Sequence, residues 1–237
     1  MLGLPSGTRA CLFDLDGVLT QTAKVHAAAW KETFDSYLRE RSQHTGEPFS
    51  PFELSDYTRF VDGKLRIDGA KAFLSSRGIV LPEDEADAIA RRKDDRMVEL
   101  LRTGHVESYE GSVRYVKAVR KSGLRTAVVS ASQHCKEVLE SAGIDGLFDA
   151  RVDGLVAERE HLAGKPAPDT FLAAAHILGV EPPEAAVFED ALAGVDAGRA
   201  GHFGFVVGVD RTGKAAELRQ HGADAVVNDL GALIEQK

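Results

Sequence analysis

Short apolar runs that alternate with helical patterns are the strongest constraint on this chain. Residues 10–15 (ACLFDL), 126–129 (TAVV), 185–188 (AAVF), 205–209 (FVVGV) and 225–227 (AVV) read as buried strands. Helix-like segments occupy 112–121, 135–142, 169–178 and 192–200. Gly123, Gly143, Gly179 and Gly201 follow their ends, where helices commonly stop. Strands alternating with helices predict an α/β fold, a doubly wound parallel sheet covered on both faces. Such sheets gather their sites beyond the carboxyl ends of the strands. One region departs from the rhythm. From about residue 22 to 103, helical patterns at 23–39, 66–76 and 84–102 run without a buried strand, and Pro48, Pro51 and Pro82 punctuate the joins. The chain is therefore expected to hold a core domain, residues 1–21 and 104–237, and an all-helical domain, residues 22–103, inserted directly after the first strand and its loop.

Composition narrows the class. With 43% hydrophobic and 28% charged residues in 237, the chain has the profile of a soluble globular protein. A net charge of −8 argues against nucleic acid or an anionic membrane as partner. Small anions are not excluded, because a local cluster of cations outvotes a distant negative surface. The two cysteines, Cys11 and Cys135, have neither metal-ligand spacing nor the numbers of a disulfide framework. The opening MLGLPSGTRA lacks a signal-peptide core, and no apolar run approaches membrane-spanning length. A cytoplasmic monomer is expected.

Chemistry concentrates at the strand ends. Asp14 and Asp16 flank a single residue, so in an extended strand both carboxylates point the same way. Two close carboxylates repel and favour a cation between them, and hard oxygen ligands suit Mg²⁺. Gly17 permits a tight turn beside them. Alone, this pair is as well explained by a capped loop. Ser130, Ala131 and Ser132 follow the second strand, where a hydroxyl and helix-entry amides can seat a phosphate or merely cap a helix. Lys165 lies in Gly164-Lys165-Pro166-Ala167-Pro168-Asp169, a stiffened loop that suits a fixed positive charge or is only a helix entry with proline near its first turn. Glu189 and Asp190 place a second acid pair at the end of another strand. Two acid pairs at two strand ends, with a serine and a lysine between, are not explained by solvation.

DLDGVLT, VVSAS, GKPAPDTF and FEDALAG, in this order, resemble the four motifs of the haloacid dehalogenase (HAD) superfamily. The resemblance covers the whole chain and implies a Rossmann-like core with the helical insertion as its cap. It implies that Asp14 is a nucleophile forming an aspartyl phosphate, and that Asp16 is the general acid and base. Ser130 would hold a phosphoryl oxygen, and Lys165 would neutralise the transferring group. Asp190, Asp14 and the backbone carbonyl of Asp16 would hold Mg²⁺, with Glu189 supporting the metal shell. Asp16 also argues against dehalogenation, since a departing halide needs no proton donor.

Within the superfamily, DLDGVLTQTAKVHAAAW, VDGKLRIDG, ARRKDD and SASQH resemble the β-phosphoglucomutase-like subfamily. The resemblance implies a small phosphorylated sugar as substrate and a sugar bisphosphate as intermediate and activator. His26 and Lys93 match a pair that helps the general base; singly, each reads as a solvated surface group. Thr22 matches a cap hinge, and Trp30 lies on the same first cap helix. Gly63, Lys64 and Arg66 match a cap loop facing substrate, with Arg66, Ser132, Lys64 and His134 as candidates for a second phosphate site. Three positions depart from the pattern: Gln21 in place of an acid, Gln133-His134 in place of Lys and Asn, and Ala191 in place of a polar residue. The same core would serve a sugar-phosphate phosphatase, and a non-catalytic phosphosugar-binding domain needs only part of it.

Overall fold

The computed structural model describes residues 2–103 and 106–234. The chain forms two compact units, one from the segment up to Gln21 and that from Val106 onward, the other beginning at Thr22. The expected domain boundary at 103/104 adjoins residues 104–105, which lie outside the described residues, as do residue 1 and residues 235–237.

The first unit is built on one parallel sheet of strands β1 (Ala10–Phe13), β2 (Arg125–Val129), β3 (Ala150–Val152), β4 (Ala185–Glu189), β5 (Phe205–Val209) and β6 (Ala225–Val227), in the order β3-β2-β1-β4-β5-β6. β1 is central and every residue of it is fully buried, as an unbroken apolar run in a parallel sheet requires. Phe13 is in register with Val128 on one side and Phe188 on the other. That register brings the residues just after β1, β2 and β4 to one edge. The rings of Phe13 and Phe188 stack with centroids 4.5 Å apart, locking β1 against β4. Strand order reverses between β1 and β4, the switch point where doubly wound sheets open a crevice.

The helices of the second unit are α1 (Ala23–Thr45), α2 (Leu54–Asp56), α3 (Arg66–Ser76) and α4 (Glu83–Thr103). Those of the first are α5 (Glu110–Lys121), α6 (Cys135–Ser141), α7 (Gly154–Arg159), α8 (Asp169–Leu178), α9 (Leu192–Ala200) and α10 (Ala215–Gln220). The core of the second unit is aromatic: Trp30 stacks on Phe34 at 4.7 Å, and Phe34 meets Phe73 at 4.5 Å. No helix among the described residues is long and apolar enough to cross a membrane.

The structure differs from the sequence reading in several places. β1 stops at Phe13 and not at Leu15, because the chain turns into the loop that carries Asp16. α1 runs past residue 39 to Thr45. Its apolar spacing ends near Leu38, but the polar residues beyond still favour helix until Gly46, at φ 75°, terminates it. β3, α7 and α10 have no counterpart in the sequence reading; each is six residues or fewer, too short to show a period. Gly123, Gly143 and Gly179 hold the expected left-handed conformation, whereas Gly201 has φ −79° and the following His202 takes φ 56°. Gly201 is small for another reason: a Cβ there would lie 2.7 Å from the Phe203 ring.

Candidate active site

The edge formed by the ends of β1, β2 and β4 gathers a buried charge cluster. The Lys165 ammonium donates to Asp14 Oδ1 at 2.6 Å, to the Val129 carbonyl at 3.2 Å, and to Glu189 Oε1 in a shorter contact. Lys165 is 3% exposed, Asp14 6% and Glu189 0%, so these ions interact in a low-dielectric setting where pairing is obligatory. Burial alone pushes the Lys165 ammonium pKa down, but Asp14 and Glu189 outweigh it and hold Lys165 protonated above the usual lysine range. Burial pushes the Asp14 carboxyl up, Lys165 pulls it back, and Glu189 and Asp16 raise it further. The net effect holds the Asp14 carboxyl well above the usual carboxylate range, because one lysine does not offset its burial and the neighbouring acids.

Carboxylate oxygens of Asp14, Glu189 and Asp190 all lie within 4.8 Å of one another. Three clustered hard oxygen donors fit a divalent cation such as Mg²⁺ and exclude soft, thiolate-seeking metals. The Asp16 carboxylate is not part of this group. The strand geometry that would have aimed it alongside Asp14 ends at Phe13, and Asp16 sits in a turn bridged to Thr20.

Two glycines make room for the acids. Gly17 has φ +85°, and a Cβ on it would lie 2.0 Å from Asp190 Oδ2. Gly194, in the first turn of α9, faces Glu189 so closely that a Cβ would lie 1.9 Å from the carboxyl carbon. Glu189 is further fixed by the Ala191 amide, which donates to Oε2 at 3.2 Å. Lys165 Nζ also lies 4.9 Å from the Phe171 ring centroid of α8, a cation–π contact that limits its drift.

The loop after β2 is ordered by its own hydroxyls. Ser130 Oγ accepts from the Ser132 amide at 3.1 Å, and Ser132 Oγ accepts from the His134 amide at 3.1 Å at the entry to α6. The Ala131 carbonyl abuts Gly154, where a Cβ would approach to 2.8 Å. Ser130 is 1% exposed and directly follows β2, whose Val128 is in register with Phe13, so Val129 comes level with Asp14 and Ser130 lies one position beyond.

In the second unit, Lys93 Nζ and His26 Nδ1 are 3.0 Å apart and both are buried. Lys93 lies 5.6 Å from the Trp30 ring centroid. Sequence positions 26, 30 and 93 are thus one cluster. Thr22 is buried at the start of α1, its carbonyl accepting from the His26 amide at 3.0 Å. Gly63, with φ 75°, and Lys64, whose amide donates to Val61 O at 3.1 Å, form the turn before α3. Arg66 opens α3 and donates to Asp94 Oδ2 in a short, part-buried ion pair. The sequence reading offered Arg66 to a second phosphate; the structure pairs it with Asp94, the acid next to Lys93 in the chain.

A strand switch point carrying a buried lysine among three carboxylates defines the class, and the chain belongs to the haloacid dehalogenase-like hydrolases, matching that family over residues 8–202. A β-phosphoglucomutase of Mycobacterium bovis is 53% identical over 99% of this chain and 94% of its own length. The crystal structure of a β-phosphoglucomutase from Clostridium difficile aligns with a TM-score of 0.78 at 26% identity, covering 96% of this chain and 93% of that one. A hydrolase structure from Pseudomonas syringae reaches a TM-score of 0.80 at 24% identity over 95% and 96%, a likeness of fold.

Proposed function

We propose that the protein is a β-phosphoglucomutase, converting β-glucose 1-phosphate to glucose 6-phosphate through a phosphorylated Asp14. The observation that carries the reading is the full-length likeness to the mycobacterial mutase, because it spans the second unit as well as the motifs that all relatives of this class need. In the first step, an Asp14 carboxylate oxygen attacks phosphorus of a sugar bisphosphate, the P–O bond to the sugar breaks, and Asp16 protonates the departing oxygen. In the second, Asp16 takes the proton of a sugar-phosphate hydroxyl as that oxygen attacks the aspartyl phosphate and frees Asp14. Lys165 holds the Asp14 oxygen in line, and the Ser130 hydroxyl binds a phosphoryl oxygen. His26 and Lys93 support Asp16 as base. Asp14, Asp190 and the Asp16 carbonyl, with Glu189 behind them, would hold Mg²⁺, which would supply positive charge for the transferring group. The bisphosphate primes Asp14, and the enzyme works as a monomer.

Incubation with β-glucose 1-phosphate, Mg²⁺ and a trace of bisphosphate tests this, following glucose 6-phosphate and free phosphate together. Isomer without stoichiometric phosphate is expected. Free phosphate as sole product makes the protein a sugar-phosphate phosphatase, a second reading favoured by the Arg66–Asp94 pair, which engages the cation proposed for a second phosphate.

That pair also sharpens a test of the cap. Arg66→Ala is expected to lower isomerisation roughly ten- to a hundredfold, the equivalent of about 1.5–3 kcal/mol for a charge-assisted contact. Phosphorylation of Asp14 by acetyl phosphate should be nearly unchanged. Asp94→Asn releases Arg66 and should not lower isomerisation. Equal losses in both variants, measured as initial rates, would show that Arg66 only anchors Asp94.

A further inference from the structure

We propose that Arg211 is a positioning residue for the Asp16–Gly17–Val18 turn, an inference that rests on the function proposed above. Arg211 follows β5 on the same sheet edge as the acids. Its side chain is 15% exposed and all its guanidinium nitrogens are engaged. Nε donates to the Gly17 carbonyl at 3.0 Å. Nη2 donates to the Val18 carbonyl at 3.4 Å and to Ser112 Oγ at 3.2 Å. Nη1 donates to the Asn228 carbonyl at 2.6 Å and to Asp229 Oδ2 at 3.2 Å. The guanidinium also lies 3.6 Å from the centroid of the Tyr109 ring.

Two successive carbonyls immediately after the general acid thus end on one planar cation. Gly17 is pinned from both sides, because its own amide donates to Thr20 O at 2.8 Å. A shift of this peptide moves Asp16 and breaks the close fit of Gly17 on Asp190. The Val18 carbonyl is shared with the buried Ser112 hydroxyl, at 2.7 Å. Arg211 itself starts from a rigid base. The preceding Asp210 accepts amide bonds from Thr212, Gly213, Lys214 and Ala215 at 2.6–3.1 Å. Those bonds outweigh burial and hold its carboxyl below the usual range.

The same guanidinium fixes the stem through which the chain leaves the core and returns. The Tyr109 amide donates to Leu19 O at 2.9 Å, and the Gln21 amide donates to Glu107 O at 2.8 Å, an antiparallel ladder between the outgoing and returning segments. Arg211 grips one segment through Val18 O and the other through the Tyr109 ring. Only a planar fork with five donors reaches all of these partners; a lysine ammonium reaches one or two. Displacing a catalytic group by about 1 Å costs on the order of a hundredfold in rate.

The test compares wild type, Arg211→Lys and Arg211→Ala with Arg199→Ala, which removes a surface ion pair to Asp224 in the same unit. Unfolding midpoint, phosphorylation of Asp14 by acetyl phosphate, and kcat and KM for β-glucose 1-phosphate are measured for each. Both Arg211 variants should lose about ten- to a hundredfold in kcat and in Asp14 phosphorylation, with KM within about threefold of wild type. Added guanidinium ion should restore part of the loss in Arg211→Ala, and Arg199→Ala should keep wild-type rates. If the alanine variant does not fold, Arg211→Lys carries the comparison. A folded Arg211→Lys with wild-type kcat overturns the inference alone. A wild-type protein that acetyl phosphate cannot phosphorylate overturns the proposed function and this inference together.

Discussion

Asp14→Asn will yield a folded protein that does not turn over. The substitution keeps the shape of the side chain and removes the oxygen proposed as nucleophile, since an amide forms no acyl phosphate at a useful rate. Loss of a covalent nucleophile lowers turnover by more than about 10³-fold where the surrounding residues act with it as a unit. Asp14 is such a case: its oxygen is already 2.6 Å from Lys165 and within reach of Glu189 and Asp190. Stability should not follow activity down. Burial, Glu189 and Asp16 all disfavour the Asp14 charge, and Lys165 keeps Glu189 and the Val129 carbonyl as partners. The unfolding midpoint in EDTA is therefore expected to be unchanged or higher. Mass spectrometry after incubation with acetyl phosphate should find a phosphoryl group on wild type and none on the variant. A variant retaining a tenth of wild-type turnover would sink the covalent mechanism.

The parts of this site legible in the sequence are those that buried parallel strands announce. β1 and β4 are apolar runs, and an acid that ends such a run stands out, so Asp14, Glu189 and Asp190 could be picked directly. Lys165 was marked by its glycine and prolines. β3 escaped because ARV is short and alternates in exposure, so nothing in it resembles a buried run. The period argument for Asp14 and Asp16 held only as far as the strand did; one residue past Phe13 the backbone turns, and only Asp14 joins Glu189 and Asp190. Pairings between distant positions are products of folding and leave no local signal. Arg66 meets Asp94 across 28 residues, and Arg211 meets Gly17 across 194. A hint for Arg211 did exist: Asp210 and Arg211 directly follow FVVGV, the same strand-then-charge pattern that exposed the acids.

Lys165→Met should destabilise the protein and disable it, by two separable routes. Methionine matches the length of the lysine stem and fills its space beside Phe171, so the change removes charge with little change of volume. What remains is Asp14 and Glu189, both buried, with no cation between them. Removing one partner of a buried ion pair costs about 3–5 kcal/mol. For a chain of this size, that lowers the unfolding midpoint by roughly 6–20 °C in EDTA. A divalent cation binds the more negative cluster better, so Mg²⁺ should raise the midpoint of the variant by more than that of wild type. Activity will not return with stability. Lys165 is the fixed charge on the Asp14 oxygen, and loss of one preorganised charge-stabilising donor costs about 10²–10³-fold in kcat. Calorimetry with and without Mg²⁺, paired with rates in saturating Mg²⁺, reads both effects. A midpoint in EDTA equal to that of wild type would mean that Asp14 and Glu189 do not depend on Lys165 for their charge. Wild-type rates in a stabilised variant would mean that Mg²⁺ alone neutralises the transferring group.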